Sequence, residues 1–172
     1  MKHIYFTLSI ATILVIGSCS RMNESGQALN QPGPNDSLFV VKQGPYEFAI
    51  FLPKDLMINN TPEIRYSEVS GEVHIALGDR FQLLVQSREQ DLSQMEVELA
   101  HDDLFTNKVV LKDNKSILYE QVLPTGETYS YQYVRNVSAG NNTYFIHTSP
   151  TGEFSIDNIY RMRDAANSMR SI

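Results

Sequence analysis

The sequence predicts an α+β domain: an antiparallel sheet of about six or more strands flanked by two main helices. Three observations lead there. Apolar residues alternate with polar ones over several short runs, as in Val73, Ile75 and Leu77 or Phe81, Leu83 and Val85, the period of strands with one buried face. The period lengthens to that of a helix after Asp91 and again after Ser155. Tyr and Phe are plentiful while Trp is absent, which suits a sheet-rich core.

In chain order, Lys2 precedes a mostly apolar stretch over residues 4–16, the pattern of a signal peptide and too short for a bilayer-spanning helix. Leu14-Val15-Ile16-Gly17-Ser18-Cys19 then reads as a lipobox, with the only cysteine of the chain beside two small residues. Residues 1–18 are therefore expected to be a lipoprotein signal peptide, and Cys19 the acylated anchor. Two or more acyl chains hold a protein on a bilayer, where one gives only marginal binding. Residues 19–37 are polar and rich in Gly, Pro and Asn, and read as a flexible tether. Residues 38–172 are left as one domain.

Within that domain residues 46–52 form a strand that Pro53 stops. Further strands are expected at 64–69, 73–77 and 81–86, with Gly71 bending one of them and Gly78-Asp79-Arg80 turning a hairpin. Asp91 caps a helix with Gln94 at the reciprocal capping-box position. Leu92, Met95 and Leu99 share its apolar face, widened by Val97, Ala100 and Leu104, and Asn107 ends the segment. Strands follow at 108–112, 117–123, 128–137 and 143–148. Ser155 caps the closing helix, whose apolar stripe is Ile159, Met162, Ala166 and Met169. Methionines in such a stripe are core filler.

The strand phrase Tyr46-Glu47-Phe48-Ala49-Ile50-Phe51-Leu52-Pro53, the Gly152-Glu153-Phe154 loop before a terminal helix, and the order strands, helix, four strands, helix together resemble the PsbP-like superfamily. DcrB-like bacterial lipoproteins share its anchored architecture. The resemblance covers about residues 38–170 and implies an α/β/α sandwich used for docking partners, without catalysis. It carries over no functional residue. A cystatin-like fold, or one of the nuclear-transport-factor type, is the alternative, although these place the main helix before most of the strands.

Twenty acidic side chains against fourteen basic give a formal net charge of −6, which argues against nucleic acid and against adhesion to anionic lipid. Membrane contact is expected through the lipid on Cys19 alone. Ser20 is not the Asp that typically retains lipoproteins in the inner membrane, so the periplasmic leaflet of the outer membrane is expected. Glu98, His101 and Asp102 fall at i, i+3 and i+4, one half of a carboxylate–histidine metal site. No second half follows, so a solvated acidic face is the favoured reading and weak divalent-cation binding the most it predicts. Glu89 to Asp103 carries acids and no Lys or Arg, whereas the closing helix carries Arg161, Arg163 and Arg170. Tyr129, Tyr131 and Tyr133 recur with period two, so they are either core or the lining of a groove. No nucleophile, zinc or phosphate-loop motif is present, and no cofactor or catalytic residue is expected. The function expected is a lipid-anchored periplasmic module that binds or helps assemble another envelope protein. A chaperone-like holder of hydrophobic segments, or a small-ligand or divalent-cation binder, are the rivals.

Overall fold

A computed structural model describes residues 36–172; the expected leader, Cys19 and nearly all of the tether lie outside the described residues. The chain runs β1 (Asp36–Gln43), β2 (Tyr46–Pro53), α1 (Lys54–Met57), β3 (Glu63–Ser67), β4 (Glu72–Ala76), β5 (Gln82–Gln86), α2 (Leu92–Ala100), β6 (Thr106–Lys112), β7 (Ser116–Val122), β8 (Thr128–Ala139), β9 (Asn142–Thr148) and α3 (Ile156–Asn167). The fold is α+β, with a seven-stranded antiparallel sheet in the order β3-β4-β5-β9-β8-β7-β6 and a separate hairpin of β1 and β2. Two meanders, β3 to β5 and β6 to β9, are joined where β5 pairs with β9. The chain therefore crosses from mid-sheet to the far edge through α2.

One face of the sheet carries the larger core. Val73, Ile75, Leu83 and Val85, with Leu118, Tyr133, Tyr144 and Ile146, pack against Phe48, Ile50 and Leu52 of the hairpin and Ile159, Met162 and Ala166 of α3. The alternation read in the sequence is the cause, since residues two apart share a face. A smaller cluster lies on the opposite face, where Leu92 with Met95 and Leu99 of α2 covers Ile117, Tyr119, Val134 and Phe145. Helices thus lie on both faces of the sheet.

Turns fix the registers. Gly44-Pro45 closes the first hairpin with Gly44 at φ +55, a conformation that favours glycine over any residue with a Cβ. Midway along β2, Arg170 exchanges backbone hydrogen bonds with Ala49, at 2.9 and 3.0 Å, and its guanidinium sits over the Phe51 ring. The carboxyl-terminal residues thereby cover the outer edge of β2.

Four sequence expectations need correction. β1 was not expected as a strand, and it begins two residues before the predicted domain start. Gly71 does not bend a long strand; β3 stops at Ser67 and Gly71 donates to the Ser67 carbonyl in a tight turn. Gln94 makes no capping box, because its side-chain amide reaches forward to Glu98 while Asp91 alone caps Ser93 and Gln94. Finally, α2 ends at Ala100, before Leu104, and Val97, Ala100 and Leu104 are all exposed instead of widening its apolar face.

Candidate functional site

The predicted acidic triad is not assembled. His101 is the cap residue of α2, with Nδ1 against the Val97 carbonyl at 2.7 Å. Asp102 lies beyond the helix, where its carboxylate accepts from the Leu104 and Phe105 amides and from Asn107. Slight burial acts to raise its pKa, but those hydrogen bonds prevail and hold it below the usual carboxylate value. The Glu98 carboxylate accepts from the Gln94 side-chain amide, and its carbonyl from the His101 amide. Helical spacing failed as a guide because the helix stops before Asp102. Among the described residues no three of His, Cys, Asp and Glu are grouped to hold a metal ion.

The tyrosine row is split as well. Between the pairs Gln121↔Ser130 and Val122↔Thr128 strand β8 has one residue more than β7, a bulge that breaks the period of two. Tyr133 is buried in the larger core and Tyr131 packs at its margin. Tyr129, the extra residue, stacks on Phe105 at 5.1 Å between ring centroids. Tyr131 and Tyr133 thus belong with the larger core and Tyr129 with Phe105. Part of the charge contrasted between the two helices is spent within the fold: Glu96 pairs with Lys112, Arg161 with Asp55 and Arg163 with Asp164.

The structure instead gathers polar groups on the α2 face, over β4, β5 and β9. Register aligns Glu72, Gln86 and Phe145 in one row, and His74, Leu84 and His147 in the next. Gln86 Nε2 donates to Glu72, and His147 Nε2 lies 3.6 Å from Glu72 Oε1. His147 Nδ1 sits 3.0 Å from the Thr148 carbonyl oxygen, a position that requires a proton on Nδ1 and leaves Nε2 facing the carboxylate. Protonating Nε2 converts the contact into an ion pair. Burial acts to raise the pKa of Glu72, but hydrogen bonds from Gln86 and Ser70 and the neighbouring His147 outweigh it and hold the carboxyl below its usual value. His147 bonds to no hydroxyl or thiol among the described residues.

Beside this row a cavity of about 280 Å³ opens between Met95 of α2 and the strands β7, β8 and β9. Its floor is pinned by a buried polar knot. Ser130 Oγ accepts from the Phe154 amide at 2.9 Å and donates to the Gly152 carbonyl at 3.0 Å, while Thr148 Oγ1 donates to Gln132 Oε1. Lining the cavity, Tyr119 is pushed up to about 12, first by burial and then by the charge of Asp102, and so keeps its proton at any physiological pH. Gln86 Oε1 and Gln121 Oε1 are buried with no hydrogen-bond partner. Arg88 stands at the mouth, exposed, with its guanidinium 5.8 Å from the Phe145 ring centroid and no carboxylate paired with it among the described residues. In the sequence Glu72, His74, Gln82 and Gln86 read only as the polar side of two strands. What makes part of that side a site is β9 lying against β5, a long-range pairing that no local pattern reveals.

A second feature lies at the sheet's end. β6 is an edge strand, and Val109, Val110 and Leu111 along it are each about half exposed. Leu104 just before it is 72% exposed and Val97 on the adjoining α2 53%, so the apolar exposure extends off the strand. The register with β7 slips between Val109 and Leu111, and Lys108 and Lys112 bracket the three.

Comparison with protein-family models, with curated proteins and with solved structures finds no match to this chain.

Proposed function

We propose that this protein is a lipid-anchored, non-catalytic module of the bacterial envelope. Acylated Cys19 would hold it at the periplasmic leaflet of the outer membrane, where a PsbP-like sandwich docks another envelope protein. Anchoring and location rest on the lipobox. Docking rests on one observation, the half-exposed apolar edge strand β6. An unpaired edge offers a row of backbone donors and acceptors, and proteins with no use for such an edge shorten, cover or charge it. Here Lys108, Lys112 and the bulge at Val110 restrain indiscriminate pairing while three consecutive apolar side chains stay available, an arrangement that suits a chosen partner strand. The layered arrangement, with α2 and α3 on opposite faces of an antiparallel sheet, supports the PsbP-like reading.

The test is photo-crosslinking in native envelopes, with a benzophenone side chain at Val110 and, as control, at the fully exposed Val69. A discrete adduct at Val110, missing at Val69 and reduced when Cys19→Ala releases the protein, is the expected result. Adducts with many unrelated proteins would favour a chaperone-like holder, and no adduct at Val110 would overturn the docking reading. Mass spectrometry of the mature amino terminus checks the anchor separately, and an unmodified Cys19 sinks it.

A further inference from the structure

We propose that the outer face of the β1–β2 hairpin rests on the lipid bilayer, a second contact beside the acyl chains that seats the domain in one orientation. This rests on the anchor proposed for Cys19; the structure supplies the face that the anchor brings down. The hairpin is apolar on both sides. Val41, Phe48, Ile50 and Leu52 belong to the larger core. Residues two apart share a face, so Leu38 and Val40 stand on the other side, beside their partners Phe51 and Ala49. Leu38 is 47% and Val40 52% exposed. Ile58, 80% exposed, follows the single turn of α1 after Pro53, the partner of Asp36. It therefore stands within about 8 Å of the end at which the chain enters the hairpin. Charges around the patch are already paired, Lys42 with Glu47 at 2.8 Å and Arg161 with Asp55 at 2.6 Å, and the Arg170 guanidinium lies over Phe51. Attraction through this face is therefore apolar, and the formal net charge of −6 does not oppose it.

Where the chain arrives decides what covers this face. Asp36 opens β1 and lies 17 residues beyond Cys19. That span reaches at most about 60 Å when fully extended, and roughly 23 Å as the polar tether read from the sequence. A bilayer held so near is present at an effective concentration on the order of millimolar. A few apolar side chains, too weak to hold a free vesicle, then suffice to keep the face down. The other apolar patch, Val109 to Leu111, lies elsewhere. β1 lies against β3, and β3 and β6 are opposite edges of the seven-stranded sheet, six ladder spacings or about 29 Å apart. Seating the hairpin on lipid thus keeps the β6 edge clear for a protein partner.

The sequence has one Cys and no Trp, which makes the test direct. The mature chain, beginning at Cys19, is coupled through that thiol to a maleimide lipid. The vesicles are of phosphatidylethanolamine and phosphatidylglycerol with brominated acyl chains. Val40→Trp, Ile58→Trp and Val110→Trp each supply a single fluorophore. Quenching with a blue shift is expected for Val40→Trp and Ile58→Trp, none for Val110→Trp, and the pattern should be the same in low and high salt. Adding Leu38→Asp to Val40→Trp should abolish the quenching while urea unfolding stays within the range of a surface substitution. The proposal is overturned if Val40→Trp is quenched no more than Val110→Trp, if all three are quenched alike, or if high salt abolishes the effect. A blue shift that grows with protein density and without quenching would assign the face to a second copy, and overturns it as well. Because the coupling itself supplies the anchor, these outcomes stand apart from acylation of the native chain, which mass spectrometry decides.

Discussion

Gly152 shows how one atom decides a local structure. A Cβ built on it would lie 2.1 Å from Cζ of Phe154, and Phe154 is 2% exposed, within the larger core. The ring has no easy retreat, because the Phe154 amide is tied to Ser130 Oγ and the Gly152 carbonyl accepts from both Ser130 and Gln132. Gly152→Ala is therefore expected to lower stability by about 1–3 kcal/mol, the usual cost of overpacking, as read from urea unfolding. A change under about 0.5 kcal/mol, the range of neutral surface substitutions, would mean that the Phe154 ring moves freely. The loop was legible in the sequence as a Gly-Glu-Phe phrase, but the ring lying back over its own glycine was not. The tyrosines teach the same lesson in reverse. Tyr133 obeyed the period of two and is core, while Tyr129 broke it at a bulge that depends on β7 and leaves no mark in β8.

At the scale of elements, the helix starts were legible because capping chemistry is local. Asp91 Oδ1 accepts from Ser93 at 2.9 Å and Gln94 at 3.1 Å, and Ser155 Oγ accepts from Asn158 at 3.4 Å. The stronger cap serves the shorter helix: α2 has 9 residues and α3 has 12. α2 also packs the smaller apolar cluster, and such a short helix has little stability of its own. Asp91→Ala should thus cost about 1 kcal/mol, and Ser155→Ala, with its longer bond, about 0.5 kcal/mol, the low end for a lost cap. Hydrogen exchange would show faster opening of α2 in the first variant, and equal effects of the two would refute this ranking. What local pattern does not reveal is where a helix stops when no glycine or proline ends it, hence the misplaced Leu104. Nor does it show a strand that lacks alternation. β1 has an uninterrupted apolar run over residues 38–41, and its pairing with β2 across Gly44-Pro45 is seen only in the folded chain.

Across the whole molecule, the groups with shifted pKa values predict how stability varies with pH on both sides of neutrality. Glu72 and Asp102 are held below their usual values in the folded chain. Above the unfolded pKa values, about 4.3 and 3.9, their contribution is fully present, and it is lost as pH falls through the folded values. Tyr119 behaves oppositely, for its folded pKa is raised to about 12, and Tyr46 and Tyr133 are also raised, chiefly by burial. The folded state keeps these protons while the unfolded chain begins to release them near pH 10. Stability is then level below about pH 10 and declines towards pH 12. Urea unfolding across pH should give a plateau with an acid limb and an alkaline limb. Glu72→Gln should shrink the acid limb and Tyr119→Phe the alkaline one, each leaving the other limb in place, because Glu72 and Tyr119 lie on different strands and share no hydrogen bond among the described residues. Absorbance near 295 nm, where tyrosinate is detected, supplies the independent check: Tyr119→Phe should remove a late-titrating component without altering the early one. Were both limbs unchanged in both variants, the buried polar face around Glu72 and the packing of α2 over Tyr119 would have to be looser than the hydrogen bonds and burial described above.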